Sequence, residues 1–172
     1  MRRIRGQSLV EFAILSPVLL LLVMGLLDLG RGYYFEVVST DAARDAARFG
    51  SGYMPLKWPP VGYGSAAICE LARADLIDVV SPANVDCTIV STLPAPGRPY
   101  YGTSYTPKPG HALVVIACPP ATNDCKGAKG QTLNTNIGVT VYYHFDMVTP
   151  GISALFGPWL TFQNSAVFTS TW

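Results

Sequence analysis

Charge is scarce in this sequence of 172 residues. Asp, Glu, Lys and Arg make up only 13% of it, about half of the usual share. From Gly30 onward nine basic residues balance nine acidic ones, which argues against a nucleic-acid binder because such proteins carry a basic surface. The sequence also lacks a Gly-rich phosphate loop, a dinucleotide fingerprint and an internal repeat. We therefore expect no nucleotide, cofactor or nucleic-acid partner.

Histidine is almost as scarce, with two residues in the chain. Neither His111 nor His144 belongs to a catalytic or metal-ligand signature. His144 stands two residues before Asp146 on a predicted strand, so a catalytic dyad is the alternative interpretation. Because no nucleophile motif surrounds the pair, we interpret His144 as an ordinary strand residue and predict a protein that is not an enzyme.

A long apolar run is what the sequence has in abundance. Residues 12–27 are uncharged and are bounded by Glu11 and Asp28. As a helix this run spans about 24 Å, and inclusion of Leu9 and Val10 brings it close to a hydrocarbon core of about 30 Å. Three arginines precede the run and no comparable cluster follows it. The sequence thus predicts a membrane span with a cytoplasmic N-terminus and an exported remainder.

A cleavable secretory signal peptide is the alternative interpretation of the same run. Such a signal ends in small residues that form an A-x-A-like cleavage site. Here the segment Asp28-Leu29-Gly30-Arg31 follows instead. We therefore predict that the helix is retained and that the protein is a single-pass membrane protein.

The remaining sequence predicts an α+β domain. Helical character continues from Tyr33 to Gly50, and a second, shorter helix begins near Ser65. Four segments rich in β-branched or aromatic residues then predict strands, at 85–90, 112–118, 137–145 and 160–169. We expect one antiparallel sheet that lies against the exposed half of the first helix.

All four cysteines, Cys69, Cys87, Cys118 and Cys125, lie beyond the predicted span. An even number of cysteines in an exported domain predicts disulfides, for which three pairings are possible. We favour Cys69–Cys87 and Cys118–Cys125 because sequence neighbours close short loops. A zinc site is the alternative, but the sequence has no Cys-x-x-Cys pair and we expect no metal.

Several features of the first 50 residues occur together. They are the segment Gly6 to Phe12, Pro17, the segment Asp28 to Arg31, and the alanine-rich segment Asp41 to Gly50. In combination they resemble the TadE-like pseudopilins, or minor pilins, of the tight-adherence (Tad/Flp) type IV pilus system. The resemblance is weaker after Gly50.

The resemblance implies cleavage by a prepilin peptidase between Gly6 and Gln7, with Phe12 in the recognised segment. The chain would then divide into a leader peptide (1–6), a transmembrane and assembly helix (7–29) and an exported pilin-like domain (30–172). Loss of three arginines would leave nine basic against 11 acidic residues, so the formal net charge would change from +1 to −2. This removes most of the cationic attraction to the cytoplasmic leaflet.

The family also implies partners and a location. The partners are other pilins and pseudopilins, the prepilin peptidase, the inner-membrane assembly platform and, before assembly, the lipid bilayer. The location is the inner (cytoplasmic) membrane, with the C-terminal domain periplasmic or extracellular and possible incorporation in a surface pilus.

Glu11 is the residue that we expect to act in subunit assembly. It lies one helical turn after Gln7, and a carboxylate this close to hydrocarbon needs a partner. In related pilins that partner is the terminal amine of a neighbouring subunit, which sets the register of packed helices. The alternative function is an uncleaved envelope protein that presents Tyr100, Tyr101 and Tyr105, from a Pro-rich loop, to a surface or partner.

Overall fold

The computed structural model describes residues 6–51, 65–90, 107–117, 135–149, 153–154 and 157–170. Within these residues, two helices and a short 3-10 turn (Pro82–Asn84) accompany four strands. The helices are α1 (Gln7–Gly50) and α2 (Ser65–Asp75), and the strands are β1 (Val85–Val90), β2 (Ala112–Ala117), β3 (Thr135–Asp146) and β4 (Trp159–Ser170). The predicted α+β class, with a long first helix and a short second one, is confirmed.

Helix α1 is continuous over 44 residues and includes Pro17. Its sequence contains nine Leu and five Ala, and these residues lose little side-chain freedom in a helix. The helix ends at Gly50, and the backbone N–H of Ser51 donates to the Ala47 carbonyl at 3.0 Å. One rod therefore runs without interruption from the predicted membrane span into the domain that contains the sheet.

The four strands form one mixed sheet in the order β1-β2-β3-β4. Strand β3 pairs antiparallel with both β2 and β4, and its pairing with β4 is in register along all of its length, from Thr135 with Ser170 to Asp146 with Trp159. Strands β1 and β2 pair in parallel, whereas a wholly antiparallel sheet was expected. The connection of residues 91–111 is long enough for this pairing, because parallel neighbours need a crossover of about a dozen residues or more.

The core lies between the two helices and one face of the sheet. Its members are aliphatic residues of β1, β2 and β3 and the buried sides of α1 and α2. Phe35 of α1 stacks on Tyr143 of β3 with ring centroids 3.7 Å apart. A disulfide between Cys69 and Cys87 joins α2 to β1, which is one of the two pairings favoured from the sequence. The other, Cys118–Cys125, lies outside the described residues.

Candidate functional site

The predicted processing site lies at the free end of α1. Gly6 is the N-cap of the helix, and its carbonyl accepts a hydrogen bond from the Val10 N–H at 3.3 Å. Glu11 and Phe12 follow on the first turns, both exposed. The bond between Gly6 and Gln7 therefore lies where the helix begins. Cleavage at this bond and the assembly role of Glu11 stay predictions.

The apolar segment of α1 projects away from the rest of the protein. Every large apolar side chain from Leu9 to Leu27 is at least 39% exposed. This is the one helix in the described part of the chain that is long and apolar enough to cross a membrane. So much exposed aliphatic surface is unfavourable in water. The segment needs lipid or other apolar helices around it.

Asp28 marks the point where α1 first joins the domain that contains the sheet. The side chain is only 6% exposed. Its Oδ2 accepts hydrogen bonds from the backbone N–H groups of Val148 (3.1 Å) and Thr149 (2.8 Å), which follow β3. Its Oδ1 pairs with the Arg31 guanidinium at 3.4 Å, and that guanidinium lies 5.3 Å from the Phe145 ring centroid. We call these contacts the Asp28 clamp.

The clamp begins a buried stripe along α1. Its residues recur every three or four positions, a spacing that places them on one helical face. They are Asp28, Gly32, Phe35, Ser39, Ala42, Ala43, Ala46 and Ala47. Gly32 lets aromatic rings approach the helix, since a Cβ there would lie 3.4 Å from Phe162 Cζ and 3.9 Å from Phe145 Cζ. The stripe therefore faces the sheet from the membrane end of the domain to its far end.

A polar contact holds β4 against the middle of this stripe. The Asn164 side-chain amide donates to Glu36 Oε2 at 3.1 Å and to the Ser39 hydroxyl at 2.6 Å. Ser39 is fully buried, so its hydroxyl needs such a partner. The Asn164 contact thereby fixes the position of β4 along α1.

The alanine-rich segment forms the far end of the stripe. Ala42, Ala43, Ala46 and Ala47 are at most 1% exposed, and their small side chains let α2 and the sheet lie close to the α1 backbone. A Cβ at Gly50 would lie 2.8 Å from Ile68 Cδ1 and 3.1 Å from Ile137 Cγ2. These residues therefore act through close packing, although the sequence indicates only helix propensity and a helix stop.

An acidic group lies between the two helices. Partial burial and, to a smaller extent, the neighbouring carboxylates of Asp45 and Asp41 together raise the pKa of Asp75 from 3.8 to about 6. Asp75 Oδ2 is buried and has no hydrogen-bond partner among the described residues. The ionised form of Asp75 is therefore disfavoured in the folded domain.

The two residues of the alternative dyad are in contact. His144 Nε2 lies 3.1 Å from Asp146 Oδ1, and the His144 ring stacks on Trp159 with centroids 4.9 Å apart. His144 is 5% exposed, and its Nδ1 has no hydrogen-bond partner in the described part of the chain. The Trp159 ring stacks over the imidazole, and Thr161 is the partner of His144 in the pairing of β3 with β4. The arrangement fits a strand histidine packed beneath an aromatic ring.

The family model described as TadE-like protein matches residues 6–48. Over this quarter of its length the chain is similar to TadE-like proteins. The match begins at Gly6 and ends near the end of the stripe, so it covers the free apolar segment, Asp28 and Arg31 of the clamp, and the alanines, but not the clamp partners Phe145, Val148 and Thr149. Neither the comparison with curated proteins nor the comparison with solved structures gives a significant match.

The family match supports a role as a minor pilin associated with the Tad pilus, in contact with other pilus components. TadE-like proteins are in general not enzymes. The tyrosines of the alternative function, Tyr100, Tyr101 and Tyr105, lie outside the described residues.

The sequence did not predict the clamp. The local sequence shows only a carboxylate, Asp28, at the end of an apolar run and an arginine three residues later. The partners of that carboxylate, Val148 and Thr149, are about 120 positions away. A local pattern does not indicate such distant partners.

Proposed function

We propose that this protein is a TadE-like pseudopilin or minor pilin that takes part in assembly of a Tad-type pilus after cleavage by a prepilin peptidase. The observation that carries the proposal is the matched segment itself. It forms a rod whose large apolar side chains are uncovered by their own domain. Lipid surrounds such a rod before assembly, and neighbouring rods replace the lipid afterwards.

The proposed cleavage removes residues 1–6 as a leader peptide. Before cleavage, Arg2, Arg3 and Arg5 hold the N-terminus at the cytoplasmic face of the inner membrane. Afterwards the helix begins with the amine of Gln7 and the formal net charge has fallen from +1 to −2. The weaker cationic hold eases transfer of the helix from the bilayer, through the assembly platform, into the filament stem.

Glu11 then sets the register between neighbouring subunits. Its position is four residues, or about 6 Å, above Gln7 along the helix. In the stem its carboxylate pairs with the Gln7 amine of an adjacent pilin. A misplaced helix leaves one of these charges unpaired among apolar side chains, at a cost of about 3–5 kcal/mol.

The experiment compares Glu11→Leu with Val10→Leu, an apolar replacement one residue away. Both variants should enter the membrane fraction as the unmodified protein does. Glu11→Leu should be depleted from sheared surface filaments, and Val10→Leu should not. Equal incorporation of the two variants would show that the carboxylate is dispensable.

The same fractions test the alternative function. A permanently anchored envelope protein would remain uncleaved in the membrane and would never enter sheared filaments. That result would overturn the proposed role in assembly.

A further inference from the structure

A small apolar patch lies at one edge of the exported domain. It consists of Val148, Trp159 and Leu160, which are 56%, 44% and 38% exposed. Trp159 and Leu160 are consecutive in β4, so they lie on opposite faces of the sheet at this end. We call these three residues the edge patch. The Met147 N–H donates to the Pro158 carbonyl at 3.2 Å, which links the end of β3 to the start of β4. Stacking on His144 also holds the Trp159 ring in place. The edge patch is therefore fixed in position and still accessible.

The Asp28 clamp determines where this patch lies along α1. Val148 belongs to the edge patch, and its backbone N–H donates to Asp28. Asp28 is the first charged residue after the apolar run, and the preceding residues 8–27 match a hydrocarbon core of about 30 Å. The clamp consequently holds the edge patch beside the point where α1 leaves the hydrocarbon.

The direction of β4 along α1 also places Trp159 beside the point where α1 leaves the hydrocarbon. The ring of Phe162 packs against Gly32 of α1, and Trp159 precedes Phe162 by three strand residues, or about 10 Å. At the other end of β4, Phe168 pairs with Ile137, which lies against Gly50 at the end of α1. Trp159 is therefore at the membrane end of the strand and Phe168 at the far end.

We propose that the edge patch rests in the headgroup region of the exported-side leaflet of the membrane that α1 spans. Tryptophan is enriched at this depth because its ring is apolar and its N–H is polar. The chain after Asp146 contains no Asp, Glu, Lys or Arg, so contact at this edge brings no charged side chain from β4 into the interface. The exported domain of the unassembled subunit is thus held to the bilayer at two points, α1 and the edge patch.

This inference rests on the proposed membrane span, and the experiment separates the two. The full chain is placed in nanodiscs at one copy per disc, with Trp58→Phe and Trp172→Phe, so that Trp159 is the one tryptophan. Lipids brominated near the headgroup serve as the quencher. We expect the Trp159 emission to be blue-shifted in unbrominated lipid. Most of its intensity should be lost when brominated lipid is used instead.

Two matched variants in a Trp159→Phe background calibrate the measurement. Phe168→Trp, about 30 Å further along β4, should keep its emission in all lipids. Leu20→Trp should be quenched by lipid brominated deep in the acyl chains.

Three results would overturn the inference. If Trp159 is unquenched while Leu20→Trp is quenched, the helix spans the bilayer and the edge patch does not touch it. If the Trp159 emission is blue-shifted only when each disc holds several copies, the edge patch contacts a second copy of the chain. If Leu20→Trp is also unquenched, the proposed membrane span fails and the inference fails with it.

Discussion

Removal of the Asp28 carboxylate should release the end of β3 from α1. In Asp28→Ala, two hydrogen bonds from the Val148 and Thr149 N–H groups lose a charged acceptor, and Thr149 is buried. A hydrogen bond to a charged group contributes about 1.5–3 kcal/mol. Val148 is open to solvent, so water can replace part of its lost hydrogen bond. We therefore expect the two hydrogen bonds together to contribute about 3 kcal/mol of free energy, rather than the sum of two full values. Asp28→Asn, which keeps one acceptor oxygen, should lose less.

Hydrogen exchange of the full chain in detergent or nanodiscs measures this effect locally. A loss of about 3 kcal/mol corresponds to roughly 100-fold faster exchange of the Val148 and Thr149 amides if they exchange by local opening. Asp78→Ala removes an exposed carboxylate and should change stability by no more than about 0.5 kcal/mol. Unchanged protection in Asp28→Ala, or equal effects of the Asp28 and Asp78 variants, would refute the clamp.

Other predictions concern packing, pH and the disulfide. Gly50→Val should destabilise the domain by about 1–3 kcal/mol through overpacking. Gly30→Ala, with open space around its Cβ, should be neutral or stabilising. Urea unfolding measures both variants, and equal unfolding midpoints would contradict the close contact at residue 50. Asp75→Asn should stabilise the domain by about 1 kcal/mol at pH 7–8, a value reduced for partial exposure. The pKa of Asp75 in the folded domain, about 6, lies above the ordinary 3.8. Ionisation of Asp75 therefore lowers stability fully above about pH 6, and this loss disappears as the pH falls toward 4. A stabilisation by Asp75→Asn that grows with acidification would contradict this sign. Reduction of Cys69–Cys87, separated by 18 positions, should lower stability by about 3 kcal/mol, which thermal unfolding with and without reductant measures; equal transition temperatures would show that the bridge is not formed.

Local patterns were sufficient to predict the elements of this fold. The apolar run and the following helical segment gave α1, and β-branched clusters gave all four strands to within about two residues at each end. Ile68, Cys69, Ala72 and Leu76 recur at helical spacing, and all four are buried. Each of these signals comes from residues close together in sequence.

The parts that the sequence did not predict depend on distant contacts. The parallel pairing of β1 with β2 depends on the path of the connection between them, which strand propensity does not determine. The clamp depends on backbone groups far along the chain. Ala42 and Ala46 gave only helix propensity as a signal, although their small size is what allows close packing.

Mass spectrometry of sheared filaments, with N-terminal peptides read directly, is the most direct test of the assembly account. The account predicts that this chain is present in the filaments and begins at Gln7, without Arg2, Arg3 and Arg5. A chain that still carries those arginines, and that occurs only as single copies in the membrane of cells with an active prepilin peptidase, would contradict it.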